Sequence, residues 1–193
     1  MTSFLSSQLR PAVAVLLALT LVTGVAYPAA VTAVAQVVFP AQANGSLVVT
    51  ADGRVVGSAL IGQLFGDPRY LWGRPSAAGD GYDGMASAGS NLGPTSAALV
   101  DRVTAEVDRL RAAHGDAPVP VDLVTASASG LDPDISPDAA AYQAARLAEA
   151  RGIPVADVEA AIARHTEGPL LGFLGQPRVR VLAVNLDLDG LLR

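Results

Sequence analysis

No cysteine and no lysine occur in this chain of 193 residues. The first absence excludes a disulfide framework and any zinc site built on thiolates. The second excludes a Schiff-base lysine, a Walker-type phosphate lysine and an S-x-x-K nucleophile. All 13 basic residues are arginine, a bias that, with the abundant alanine, fits a GC-rich bacterial genome. Histidine occurs twice, so imidazole chemistry has few places to reside. Aromatic residues make up 5% against 51% hydrophobic, which leaves the apolar content largely aliphatic. A net charge of −5, spread along the chain, provides no basic face to neutralise phosphates, and nucleic acid is not an expected partner.

Charge is missing altogether between Arg10 and Asp52. Within that gap residues 12–39 are dense in Val, Leu and Ala. A helix rises about 1.5 Å per residue, and about 20 apolar residues cross a hydrocarbon core of about 30 Å, so one transmembrane helix is expected. The rival is a cleaved signal sequence, with Arg10 as its basic end and Ala41-Gln42-Ala43 as a small-x-small cleavage site. Signal cores span about 7–15 residues, roughly half of this run, which favours an uncleaved anchor. Tyr27-Pro28 interrupts it, and Ala26 with Ala30 and Ala29 with Ala33 place small residues at a spacing that permits close helix approach. The expected organisation is a tail over 1–11, the transmembrane helix over 12–39 and one domain over 40–193. Few charges flank the helix, and long domains translocate largely regardless of charge. The expected placement is therefore single-pass in the bacterial plasma membrane, with a cytoplasmic N-terminus and an extracytoplasmic domain.

The domain is expected to be a small mixed α/β fold. Leu47-Val48-Val49 and Val55-Val56 flank Asp52-Gly53, a hairpin signal. Residues 57–93 are rich in Gly, Pro, Ser and Asp without periodicity, and long irregular stretches in compact domains are commonly functional. Capped at Thr95 or Ser96, a helix carries the stripe Leu99, Val100, Val103, Val107 and Leu110 up to Gly115. Val119–Val124 reads as a buried strand. Ser136-Pro137 opens a second helix, with Ala140, Ala144 and Leu147 inward and Gly152 closing it. A third carries Val155, Val158 and Ile162, and a final strand is expected over roughly Arg178–Leu186.

No constellation of side chains points to a reaction. Gly79-Asp80-Gly81-Tyr82-Asp83-Gly84 has G-x-G-x-x-G spacing, but no strand precedes it, no helix follows, and its acids repel phosphate; it reads as a loop. Asp132, Asp134, Ser136 and Asp138 alternate like early calcium ligands, yet Pro137 and Gln143 stand where that loop needs Gly and Glu, so they read as turn and cap residues. Ser127 or Ser129 as a nucleophile would make the chain a membrane-anchored exported hydrolase. That alternative needs His114 or His165 as base, and both fall at expected helix ends. Arg74, in the turn Gly73-Arg74-Pro75-Ser76, is either a carboxylate ligand for a partner or a solvated arginine. Catalytic, cofactor-binding and metal-binding residues are each expected to be none.

Several stretches, taken in order, resemble the C chain of the Kdp potassium-transporting ATPase. They include Thr23–Pro28, Gln42–Leu47, Gly57–Gln63, Gly73–Ala77, Gly89–Pro94, Val119–Pro137 with its run Val-Thr-Ala-Ser-Ala-Ser-Gly-Leu-Asp, and Gly175-Gln176-Pro177 with Val181-Leu182 and Asn185-Leu186. One departure is Arg180, where the family pattern has Asn. The resemblance implies a non-catalytic subunit that stabilises a complex of a channel-like, potassium-binding A subunit and a P-type ATPase B subunit in the lipid bilayer. It also implies a catalytic-chaperone role that raises the ATPase subunit's affinity for ATP, hence a nucleotide-binding role through a ternary complex. No phosphate cradle accompanies that implication. With the domain outside, the effect would be coupling across the membrane, and Asp80 and Asp83 would gather cations at a potassium entrance.

Overall fold

The computed structural model describes residues 2–50 and 52–191, in two compact units that divide between Ser46 and Leu47.

The first unit is helical. α1 (Thr2–Leu21) runs through a π turn at Val22–Ala26 into α2 (Tyr27–Val38), and α3 (Pro40–Ala43) follows a break at Phe39. The π turn has an identifiable cause. Pro28 has no N–H to give the Gly24 carbonyl, and its ring would crowd that oxygen in an α-helix. The widened turn removes the clash, and the Tyr27 N–H donates to Val22 O instead. Within Ser7–Val38 the most apolar 18-residue stretch has a mean hydropathy of 2.0, and none of it is buried. At about 1.5 Å per residue such a helix is long enough to cross a hydrocarbon core. Ala41-Gln42-Ala43 lies in α3, closed by the Asn44 side chain, which donates to Pro40 O (2.7 Å) and Gln36 Oε1 (3.1 Å).

The second unit opens with a hairpin, β1 (Leu47–Val49) and β2 (Val55–Ser58), paired antiparallel with a register shift after Val48. Its turn is held by Thr50, whose hydroxyl donates to the Asp52 carboxylate and to Arg54 O, and by Gly53 at φ +83°. An irregular segment leads to α4 (Ala97–His114), stopped at Gly115, and then to a single 3₁₀ turn at Val121–Leu123. β3 (Asp134–Ile135) precedes α5 (Pro137–Arg151) and α6 (Val155–Arg164). β4 (Thr166–Glu167), β5 (Arg178–Arg180) and α7 (Val181–Leu188) complete it. The small sheet has the order β3-β5-β4, antiparallel throughout. Ser136 Oγ caps α5 by accepting from Ala139 N–H, and Gly152 ends it in the left-handed conformation. The core gathers Ala140, Ala144 and Leu147 of α5, Val158 of α6, Val179 of β5 and Val184 of α7 around Leu71, Leu110 and Leu123. The mixed α/β expectation holds.

One expected strand is absent and another is shorter than expected. Over Val119–Val124, Pro120 has no N–H for a ladder, and the Asp122 carboxylate is taken by the Ser136 N–H (2.7 Å) and hydroxyl (3.1 Å). The segment turns there, burying Leu123 and leaving Val121 exposed. The last strand ends at Arg180, and Val181–Leu188 is helical. An unbroken apolar run does not distinguish a strand from a buried helix by periodicity. Val181, Leu182, Val184, Asn185 and Leu186 are all buried, and the Asn185 amide reaches Leu71 from this helix. Along α4, Leu110 is buried, Val103 and Val107 partly so, and Val100 exposed.

Candidate functional site: a side-chain-bound strap and its cleft

Among the described residues, no helix interrupts the chain between the hairpin and α4, yet part of this stretch lies deep in the domain: Leu71 is fully buried and Trp72 nearly so. Buried backbone groups need partners, and with no adjacent strand the side chains of α5 and α7 supply them. The Asn185 amide accepts from Leu71 N–H (2.7 Å) and donates to Leu71 O (3.0 Å). Gln143 does the same for Trp72, at 2.9 and 3.1 Å. Arg146 donates to Pro68 O and Tyr70 O, and Arg151 to Arg69 O (2.6 Å). Five consecutive carbonyls, 68 to 72, are thus each held by a side chain, and the Trp72 indole N–H takes the sixth, Asp67 O. The strap turns at residues 67–70, where the Tyr70 N–H also donates to Asp67 O (3.1 Å), and its carbonyls are held by amides and guanidiniums in place of a strand ladder.

Arg146 is the centre of this arrangement. It is 8% exposed, and its guanidinium also donates to Gln143 Oε1 (2.8 Å) and His114 Nε2 (2.9 Å) while lying 3.8 Å from the Trp72 ring centroid. Burial, and then the nearby Arg109, pull its pKa down to about 10, so it remains charged. Carbonyl dipoles and an aromatic face stand in for an acidic partner. His114 is fixed in one neutral tautomer, with Nδ1–H donating to Leu110 O (2.8 Å) and Nε2 accepting from Arg146. Burial holds its pKa below the ordinary value; the bond to Leu110 opposes this, and the charges of Arg146 and Arg109 reinforce it.

Beside the strap is a cleft of about 420 Å³, lined by Phe65, Trp72, Tyr82, Asp80 and three arginines, Arg74, Arg102 and Arg109. Arg109 pairs with Glu106 (2.8 Å) and lies 4.6 Å from the centroid of the Trp72 ring, which Arg146 also contacts. Tyr82 donates to Arg74 O (2.6 Å), and burial pushes its pKa up to about 12. Arg74 neither awaits a partner nor stands free in solvent. It binds Asp132 of its own domain (2.8 Å) and Thr125 O (3.2 Å). Asp83 accepts from the Met85 N–H, and Asp80 lines the cleft together with the three arginines.

Gly79–Gly84 is a turn-rich loop, with Ser76 Oγ accepting from Ala78 N–H and Tyr82 N–H. Asp132 and Asp134 face arginines, Arg74 and Arg178 respectively, and Ser136 caps α5. Ser127 and Ser129 lie 3.4 Å apart and accept from Gly130 N–H and Leu131 N–H. Neither histidine is brought to them: His114 sits against Arg146, and His165 contacts Asp187 (3.0 Å). Arg180 pairs with Glu167 (2.6 Å), which also takes Arg178 (2.7 Å), so the side chain that departs from the family pattern joins a cross-strand ion ladder. Within that ladder burial pulls the Asp134 pKa up, against Arg178.

A family model described as "K+-transporting ATPase, c chain" matches residues 9–190, nearly the whole chain and both units. The chain belongs to the K+-transporting ATPase c chain family. It is 63% identical over 187 residues to the "Potassium-transporting ATPase KdpC subunit" of Sorangium cellulosum, covering 95% of this chain and 98% of that protein. The proteins of the same name from Variovorax paradoxus and Caulobacter vibrioides are 58% and 57% identical, covering 96% and 95% of this chain and 97% and 93% of theirs. Motifs that carried the resemblance to this c chain family now have physical roles. Gly130 packs against the strap's continuation, where an added Cβ would fall 2.6 Å from Ala78 N and 2.7 Å from Ala88 O. Asn185 is one of the two amides that pair the strap. Gln143 and Arg146 were not singled out from the sequence. Their signal was present, since each is a polar side chain within the apolar face of an otherwise alanine- and leucine-lined helix.

Proposed function

We propose that this chain is a non-catalytic accessory subunit of an ATP-driven potassium uptake complex. It would stabilise the assembly of a channel-like, potassium-binding A subunit with a P-type ATPase B subunit. The relatives are named subunits of a potassium-transporting ATPase. The observation that carries the reading is the Ser7–Val38 helix, which has no charge after Arg10 and whose most apolar stretch is uncovered. Such a surface calls for lipid and neighbouring helices. Among the described residues, three of the four buried polar side chains, Gln143, Arg146 and Asn185, hold the second unit's own strap, which suits a rigid binding body better than a reaction centre.

In this reading residues 12–39 cross the plasma membrane once, the N-terminus is cytoplasmic and residues 40–193 fold outside. ATP is handled by the ATPase subunit. This chain raises its ATP affinity by coupling through the complex and holds no nucleotide of its own.

The test is gentle detergent purification of the tagged full-length chain from potassium-starved cells, followed by mass spectrometry and ATPase assays. Recovery with a channel-like membrane protein and a P-type ATPase is expected, with the ATP KM rising when this chain is omitted. Recovery of the chain alone, lacking its first 43 residues, would overturn the reading.

A further inference from the structure

The loop between β4 and β5 is a second apolar feature, separate from the long helix. Residues 168–177 read Gly-Pro-Leu-Leu-Gly-Phe-Leu-Gly-Gln-Pro, without a charge. Leu170, Leu171 and Phe173 are 70%, 76% and 73% exposed, and Leu174 is 49%. Solvated turns are ordinarily built from Gly, Asn, Asp and Ser, and contiguous exposed apolar groups of this size mark a contact surface.

The loop is preformed. Leu170 and Leu174 exchange backbone hydrogen bonds, 2.9 Å in each direction, and Gly172 N–H donates to Pro169 O (3.0 Å). Leu171 and Gly172 both have positive φ, +56° and +81°, as in the tight turns that match strand twist. A leucine rarely adopts this conformation, and here it holds the side chain outward at the tip.

We propose that this loop is a second membrane contact, with Leu171 and Phe173 entering the interfacial layer of the bilayer that the N-terminal helix crosses. The inference rests on the anchored reading above. Three observations favour lipid over a protein surface. Between Gly168 and Gly175 no side chain offers a hydrogen bond or charge by which a specific partner would be read, whereas lipid accepts apolar side chains without shape complementarity. Backbone entering an apolar layer has to satisfy itself, as the Leu170–Leu174 pair does. At the base of the loop Glu167 and Arg178 neutralise each other at 2.7 Å, so the insertion carries no unpaired charge. Only residues 39–46 separate Val38 from the first strand, a tether of at most about 28 Å.

The absence of cysteine permits single-site labelling of the full-length chain. Val15→Cys, Met85→Cys, Leu171→Cys and Phe173→Cys would each carry a nitroxide in nanodiscs of phosphatidylcholine and phosphatidylglycerol. Met85 is 99% exposed and reports water. Positions 171 and 173 are expected to follow position 15, with oxygen accessibility raised and access of a water-soluble nickel chelate lost. If 171 and 173 follow 85, or lose chelate access only when the other transporter subunits are added, the membrane contact is overturned while the anchor stands. Chelate access at position 15 would overturn both.

Discussion

At the residue scale the decisive side chains are polar groups on apolar helix faces. Asn185 is buried and satisfies both backbone groups of Leu71. Leaving a buried donor or acceptor without a partner costs about 1–3 kcal/mol, so Asn185→Ala should destabilise the domain by about 2–5 kcal/mol. Urea unfolding of the full-length chain in micelles measures this. His114 gives a pH dependence of definite sign. Its folded pKa lies below the ordinary value of about 6.5, so the unfolded chain binds the extra proton first. Stability that is present above the unfolded pKa is then lost as pH falls from there toward the folded pKa. His114→Gln keeps an acceptor for Arg146 and removes the titration. Its melting temperature should fall less than that of the unsubstituted chain as pH is lowered through this window.

At the element scale, irregular segments are locked backbone to backbone where helices and strands are not. Gly130 has φ +67°, and a Cβ there would meet the main chain of Ala78 and Ala88. Neither contact is the yielding end of a side chain. Gly130→Ala therefore combines conformational strain with a clash and should cost more than about 2 kcal/mol, read as a lowered urea midpoint with the slope unchanged. The elements legible in the sequence were those with local signals. Ser136-Pro137 and Gly152 bounded α5, Asp52-Gly53 marked the hairpin, and the uncharged run gave the long helix. Val119–Val124 and Val181–Leu186 were misread because a short apolar run carries no period of its own. What decided them was Asp122 reaching Ser136 and Asn185 reaching Leu71, contacts between segments far apart in sequence.

At the scale of the whole molecule, membrane retention is expected to rest on the first unit. The helix Ser7–Val38 dominates, so deleting residues 1–39 should move the chain from the membrane pellet to the soluble fraction on ultracentrifugation. Retention of the truncated chain in a high-salt-washed pellet would assign the larger share of membrane affinity to the second unit. The interfacial loop by itself presents only a few apolar side chains, against a full span for the helix.

Sequence alone determined the long apolar helix, the absence of thiol and lysine chemistry, the mixed α/β composition and, through its ordered motifs, the family. These are properties of composition and of neighbours along the chain, where burial and hydrogen bonding follow from spacing. The strap, its cleft and the outward-facing loop were decided only by tertiary structure. Residues 68–72 have no periodic signal because their hydrogen bonds go to side chains more than 70 positions away. The leucines and phenylalanine of Gly168–Gly175 are left outside where β4 and β5 pair.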